Sequence, residues 1–354
     1  MTNGTILNSK LFRIFFICAF FLVVATFSKS AVAQEKAPQG SEKKFDPQPL
    51  IMEHIGDSHF WPMAIPLVEE KLLPLPVILY TDKGLEVFSS GHLKDGATYQ
   101  GNYYTYKLEE NHIKVVEADG KISETIKPLD FSITRNTISM MVSLAIIMIV
   151  FLSVAASYRK RPGKAPKGLQ SFMEPLVLFV RDDIALPNLG VKYTRYMPLL
   201  LTIFFFILLN NVLGIVPFFP GGYNLTGNIA ITGVLAVIIL LVVNFSANKH
   251  YWKHIFMPNP WWLFPIMIPV EIVSVFSKPI ALMIRLFANI TAGHIVGLSL
   301  ICLIFIFRSF AISPVSVIFV TFMDCIELLV AFLQAYIFTL LSALFIGMAI
   351  QEHH

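Results

Sequence analysis

From Tyr196 to Asn248 the chain carries no charged residue, only a break at Pro220-Gly221-Gly222-Tyr223-Asn224. A soluble core does not hold an uncharged run of that length. Two bilayer crossings of about 20 residues each, joined by a turn, accommodate it. Composition agrees: 55% of residues are hydrophobic and 14% charged, against about 25% charged in soluble domains. These values exclude a disordered protein and argue against a soluble globular enzyme. The net charge of +4 comes from local basic clusters, so nucleic-acid binding is not indicated. The expected class is an all-α integral membrane protein.

The remaining runs set the topology. Thr137 to Ser157 is uncharged and spans ~32 Å as a helix, enough to cross the hydrocarbon core. Arg159, Lys160, Arg161, Lys164 and Lys167 follow without an acid, which makes this loop cytoplasmic by the positive-inside rule. Residues 168–190 contain Glu174, Arg181, Asp182 and Asp183 and are expected to lie at the interface. The loop from Lys249 to His254 is basic and again reads as cytoplasmic. Trp261–Phe307 and Ser313–Ile350 are each too long for an ordinary span. Each is either two spans or one long, strongly tilted helix, and periodicity does not choose. Both readings leave the C-terminus in the cytoplasm.

Three segments are expected. Residues 1–33 read as a secretory signal peptide: Lys10 and Arg13 precede the apolar stretch Ile14–Phe27, then comes Ala31-Val32-Ala33. The alternative is an uncleaved anchor. Residues 34–130 read as a small β-rich extracytoplasmic domain. Its strand candidates are Pro76–Tyr80, Tyr103–Tyr106 and Ile113–Val116, with a hairpin signal at Asp119-Gly120. Its His54-x-x-Asp57-x-His59 offers metal-ligand types without a fourth ligand or an established spacing, and reads as surface loop. Residues 131–354 are the membrane domain. Cys302 and Cys325 lie in apolar runs, so no disulfide framework is expected.

Ionisable groups within the bilayer are costly and point to ion pathways. On an ideal helix Glu271, Lys278, Arg285 and Asn289 fall within about 40° either side of one line. Glu271 and Lys278 have a simple structural reading as a pair. Leu282 to Leu286 offers Arg285 no carboxylate, and arginine keeps its proton. A fixed cation there calls for an acidic partner on another chain. Asp324 and Glu327 lie within the last apolar run.

Ser277-Lys278-Pro279-x5-Arg285-Leu-Phe-x-Asn289-x3-Gly293 resembles the signature of subunit a of the F-type ATP synthase. Glu327-x6-Gln334-Ala335-Tyr336-Ile337-Phe338, running to Ile350-Gln351-Glu352-His353, agrees with it. So does Leu209-Asn210-Asn211 followed by Pro217. The resemblance covers roughly residues 130–354. It implies five membrane-embedded helices, the last two long and tilted, plus an interfacial one. It implies a stator beside a ring of c subunits with buried carboxylates, a bacterial inner membrane, and b-type peripheral stalk subunits as further partners. Two half-channels deliver protons, or sodium ions in some members, to the ring. The chain then has no catalytic residue, cofactor or metal of its own.

By the resemblance, Arg285 faces the ring carboxylates, keeps them deprotonated and blocks leakage between the half-channels. Gln334 packs beside it and Asn289 lines the outer path. Asn211 and Asn228 belong to the same polar set. His294 and Glu327 exchange the residue types often found in bacterial members. With Arg285 and Gln334 level on antiparallel helices, His294 lies ~13.5 Å along one and Glu327 ~10.5 Å along the other, so the two are expected within reach of each other. Glu271, ~21 Å from Arg285, matches an acid of the inner half-channel. Thr226 and Ala230 stand where members often carry an acid and a hydroxyl, and Asp324 is an additional acid that can replace the missing one. A secondary transporter would predict internal repeats, and none is visible. A membrane enzyme would need a nucleophile–base or metal motif such as His-Glu-x-x-His, and none occurs. Neither rival explains the Arg285 and Gln334 motifs.

Overall fold

The computed structural model describes residues 48, 56–62, 72–109, 111–117, 121–123, 126–216, 225–256, 264–307 and 313–351. The signal-peptide expectation, His54 and the Asp119-Gly120 turn lie outside them.

Short strands come first: β1 (Phe60–Pro62), β2 (Leu72–Pro74), β3 (Pro76–Thr81), β4 (Gly84–Ser89), β5 (Thr98–Gln100), β6 (Thr105–Glu109), β7 (His112–Val116) and β8 (Leu129–Asp130). All pairings are antiparallel. They form a β1–β2 hairpin and two three-stranded sheets in the orders β4-β3-β8 and β5-β6-β7. Strand alternation sends Val77, Leu79, Phe88, Tyr106, Ile113 and Val115 into a common core. Of the expected strands, Pro76–Tyr80 and Ile113–Val116 form as read. The third starts at Thr105, because Tyr103 N–H donates to Glu86 Oε1 at 2.7 Å instead of joining a ladder.

The helices follow: α1 (Arg135–Lys160), α2 (Leu169–Phe179), α3 (Tyr193–Ile215), α4 (Ile229–Ser246), α5 (Lys249–Phe256), α6 (Phe264–Phe307) and α7 (Ser313–Ile350). A π-helical turn, Val180–Ala185, and a short helix, Leu186–Leu189, link α2 to α3. The charged stretch with Arg181 and Asp182, paired at 2.7 Å, falls in that turn. Among the described residues five helical stretches are long and apolar enough to cross a membrane: Arg135–Lys160, Leu169–Ile215, Ile229–Ser246, Pro265–Leu303 and Pro314–Ile350.

The choice left open by periodicity is resolved: α6 and α7 are each one continuous helix, of 44 and 38 residues, or ~66 and ~57 Å. α7 packs chiefly against α3 and α6. Ala331, Ala335, Ala343 and Ala349 are buried along it, and small residues let helices approach closely in a bilayer. At Gly347 the approach is closest, since a Cβ there would run into the Asn188 carbonyl oxygen. The last carbonyls of α7, which lack helical partners, are satisfied from the α4–α5 junction. Asn248 N–H donates to Ala349 O at 2.9 Å, and its Nδ2 donates to Ile350 O at 2.7 Å.

The start of α1 is tied into the strand-rich segment. Its N-cap residue Thr134 makes no side-chain cap. Asp57, far upstream, substitutes: its Oδ1 accepts from Asn136 N–H at 3.2 Å and from Ser58 N–H at 2.9 Å. Arg135 N–H donates to Ser58 O at 2.9 Å, and its Nη2 to Gly56 O at 2.6 Å. His59 Nε2 lies 3.0 Å from Asp130 Oδ2. Asp57 and His59 therefore have structural partners of their own and do not converge on a shared centre.

Candidate functional site

α6 places Arg285 and Asn289 on its exposed side, with Ala281, Ile284, Ala288 and Ala292 around them. Leu282, Leu286 and Ile290 point the other way and are buried, as 3.6-residue periodicity requires. Among the described residues Arg285 forms no ion pair. The molecule thus carries a permanent cation on an open face of a bilayer-spanning helix, flanked by residues small enough for another helix to come close.

Gln334 is buried on α7, on the side that carries Ala331, Ala335 and Phe338. No hydrogen bond joins it to Arg285 among the described residues. The two sit on packed helices, but Arg285 turns outward and Gln334 inward.

His294 and Glu327 meet. His294 Nδ1 lies 2.8 Å from Glu327 Oε1, both side chains largely buried. The contact has ion-pair distance without hydrogen-bond alignment, because no described donor is aimed at that oxygen. Gly293 makes the approach possible: a Cβ there would stand 3.2 Å from Glu327 Oε1 and 3.3 Å from its Cδ. Asp324, one turn before Glu327, is half-buried on the same helix. Thr291 Oγ1 nearby in sequence and Ser316 Oγ on α7 are buried hydroxyls without a partner among the described residues. The sequence motifs do not single them out, although a hydroxyl inside an apolar run is a usable signal.

A second polar cluster joins three elements. Thr226 Oγ1 donates to Asn211 Oδ1 at 2.5 Å, and Asn211 Nδ2 donates to Ala331 O on α7 at 3.2 Å. Asn210 beside it is buried, donates to Phe206 O at 2.7 Å, and leaves its Oδ1 unpartnered among the described residues. Asn228 acts locally. Its side chain accepts from Ala230 N–H at 2.9 Å and caps α4. An asparagine directly before an apolar helical run is a sequence-visible cap.

On the other side of Arg285, Lys278 and Glu271 are half-buried. Lys278 faces an aromatic ring on α7. Its Nζ lies 5.6 Å from the centroid of the Phe345 ring, a cation–π arrangement. Lys278 also borders a small cleft lined by Tyr251, Val275 and Phe345.

Comparison with known proteins gives the family. The family described as ATP synthase A chain matches residues 138–347. A domain of unknown function (DUF8433) matches residues 50–131. "ATP synthase subunit a" of Chloroherpeton thalassium is 46% identical over 250 residues, covering 69% of this chain and 72% of that protein. "ATP synthase subunit a 2" of Prosthecochloris aestuarii is 42% identical over 271 residues, covering 74% and 83%. "ATP synthase subunit a" of Myxococcus xanthus is 42% identical over 233 residues, covering 64% and 75%. The chain is a multi-pass membrane protein and belongs to the subunit a family of the F-type ATP synthases.

Proposed function

We propose that the chain conducts protons through two half-channels at its interface with the rotating c-ring of an F-type ATP synthase, with Arg285 as the coupling residue. The observation that carries this reading is the exposed side of α6. It holds a guanidinium with no ion pair among the described residues, set between alanines. A ring carboxylate that passes this face meets a cation that cannot be neutralised, and its ionised form is favoured. Because arginine neither accepts nor releases a proton, it also interrupts a direct path from one half-channel to the other.

The other residues divide around Arg285. Asn289, His294, Glu327 and Asp324 serve the outer half-channel, with His294 and Glu327 in contact at 2.8 Å. Asn211, Asn228 and Thr226 hold its wall. Gln334 fixes α7 behind the arginine. Glu271 and Lys278 serve the inner half-channel. Helices of ~66 and ~57 Å in a core of about 30 Å lie steeply inclined, which lets each follow the ring over several ring helices. The basic loop Arg159–Lys167 supports a cytoplasmic location for that side, with residues 34–130 exported after cleavage of 1–33 in this reading. The bacterial inner membrane and the b-type stalk complete the setting.

Cross-linking tests the docking face. A bifunctional thiol reagent joins Ala288→Cys to a cysteine introduced beside the carboxylate of the ring helix in the assembled complex, and leaves Ile290→Cys, on the buried side, unjoined. An assembled complex in which Ala288→Cys gives no ring adduct overturns the proposal.

A further inference from the structure

The sheet β4-β3-β8 turns Val77, Leu79 and Phe88, together with Glu86 and Asp130, to one side and an apolar set of residues to the other. The first side lines the core. On the other, Tyr80 stands between Leu85 and Leu129, and Ile78 stands beside Val87. Phe131 N–H donates to Ile78 O at 2.9 Å and completes the second row. Tyr80, Leu85, Val87, Leu129 and Phe131 are 54%, 59%, 62%, 60% and 64% exposed. No charged residue interrupts the two rows. The solvated face of an antiparallel sheet carries polar residues, and these two rows carry none. A contiguous exposed patch of this kind is an interaction surface.

We propose that this face rests in the bilayer leaflet adjoining the start of α1. The tether supports that occupant. Only Ser132, Ile133 and Thr134 separate Phe131 from Arg135, so their Cα atoms are at most ~14 Å apart. α1 has 26 residues and a length of ~39 Å, about 9 Å more than the hydrocarbon core, so its ends reach the headgroup layer. The sheet cannot swing away freely, because Asp57 caps α1 and Arg135 is bound to Ser58 and Gly56. The patch is also continuous in chemistry with the belt of Met141, Leu144, Met148 and Leu152, exposed along α1. Tyr80 and Phe131 have the aromatic character favoured at a membrane interface. The strand-rich segment is thereby a membrane-seated brace that sets the orientation of the first span. This inference rests on α1 crossing the bilayer and is independent of the ion path.

Spin labelling tests it. Leu85→Cys, Val87→Cys and Leu129→Cys are made singly in a chain whose Cys18, Cys302 and Cys325 are alanine. Each is labelled with a nitroxide in the assembled complex in phospholipid vesicles. Lys94→Cys, at an exposed position on the 3₁₀ turn Ser90–Gly96, is the reference. The expected result is stronger relaxation by dissolved oxygen and weaker relaxation by a water-soluble nickel chelate than at Lys94. Nickel access equal to that at Lys94 means a water-facing patch and overturns the proposal. Exclusion of both relaxers means a covering polypeptide and overturns it as well. Three positions in one plane keep the test decisive if one substitution prevents assembly.

Discussion

Substituting Gly293 by alanine perturbs the His294–Glu327 pair without touching either charge. The new Cβ would stand 3.2 Å from Glu327 Oε1 and 3.3 Å from Cδ, tighter than ordinary contact, so the carboxylate gives way by a few tenths of an ångström. It is the oxygen facing His294 Nδ1 that moves, and the contact is 2.8 Å to begin with. At an effective permittivity of about 20, opening that contact by about 0.4 Å weakens the attraction of a charged imidazolium by ~0.7 kcal/mol, roughly threefold in a rate that depends on it. ATP-driven acidification of inverted vesicles is then expected to fall to about a third for Gly293→Ala in a fully assembled complex. Glu327→Asp draws the carboxylate back by one methylene and makes room for the alanine. Gly293→Ala is therefore expected to cost nothing further in a Glu327→Asp background. An unchanged rate for Gly293→Ala alone, or the same threefold loss in both backgrounds, refutes the argument that Gly293 acts through Glu327.

Three further outcomes follow from the packing. Asp57→Ala removes the cap of α1 and is expected to cost about 1 kcal/mol locally, read as faster hydrogen exchange at the amides of residues 136–138, with Asp57→Asn retaining most of the protection. Burial pushes the Asp130 carboxyl up, but hydrogen bonds from His59 and Ser132 outweigh it and hold the group below its ordinary range. Its folded value is depressed, so the stabilisation is present above the unfolded value and is lost as pH falls through the lower folded one. Limited proteolysis of the strand-rich segment from pH 7 to pH 3 is expected to show that acid-limb loss in the wild type and not in Asp130→Asn. Gly347→Ala drives a methyl group into the backbone at Asn188, and overpacking of this kind costs about 1–3 kcal/mol. Reduced yield of assembled subunit at elevated growth temperature checks it.

Charge-free runs make the spans readable from sequence, because a bilayer tolerates so few alternatives. The form of α6 and α7 stays hidden, since a long, mostly apolar stretch with only scattered charges has no polar break to mark where one span would end and another begin. Continuous helices form there even through Pro269 and Pro279, which membrane helices tolerate. The meeting of His294 and Glu327 follows from rise per residue once two motifs fix the register. Asn211 is legible as a polar residue in an apolar run, but its bonds to Thr226 and to the α7 backbone depend on long-range packing. Asp57 is unreadable as a cap, because it and Asn136 are joined only by the fold. Asn228 reads as a path residue by resemblance, whereas its place before an apolar helix marks it as a cap.

The most direct test of the central claim is ATP-driven acidification of inverted membrane vesicles with Arg285→Ala, beside wild type, with and without added sodium. Pumping is expected to be lost with Arg285→Ala while the complex remains assembled, and the wild type is expected to pump without sodium. Pumping that survives in an assembled Arg285→Ala complex contradicts it.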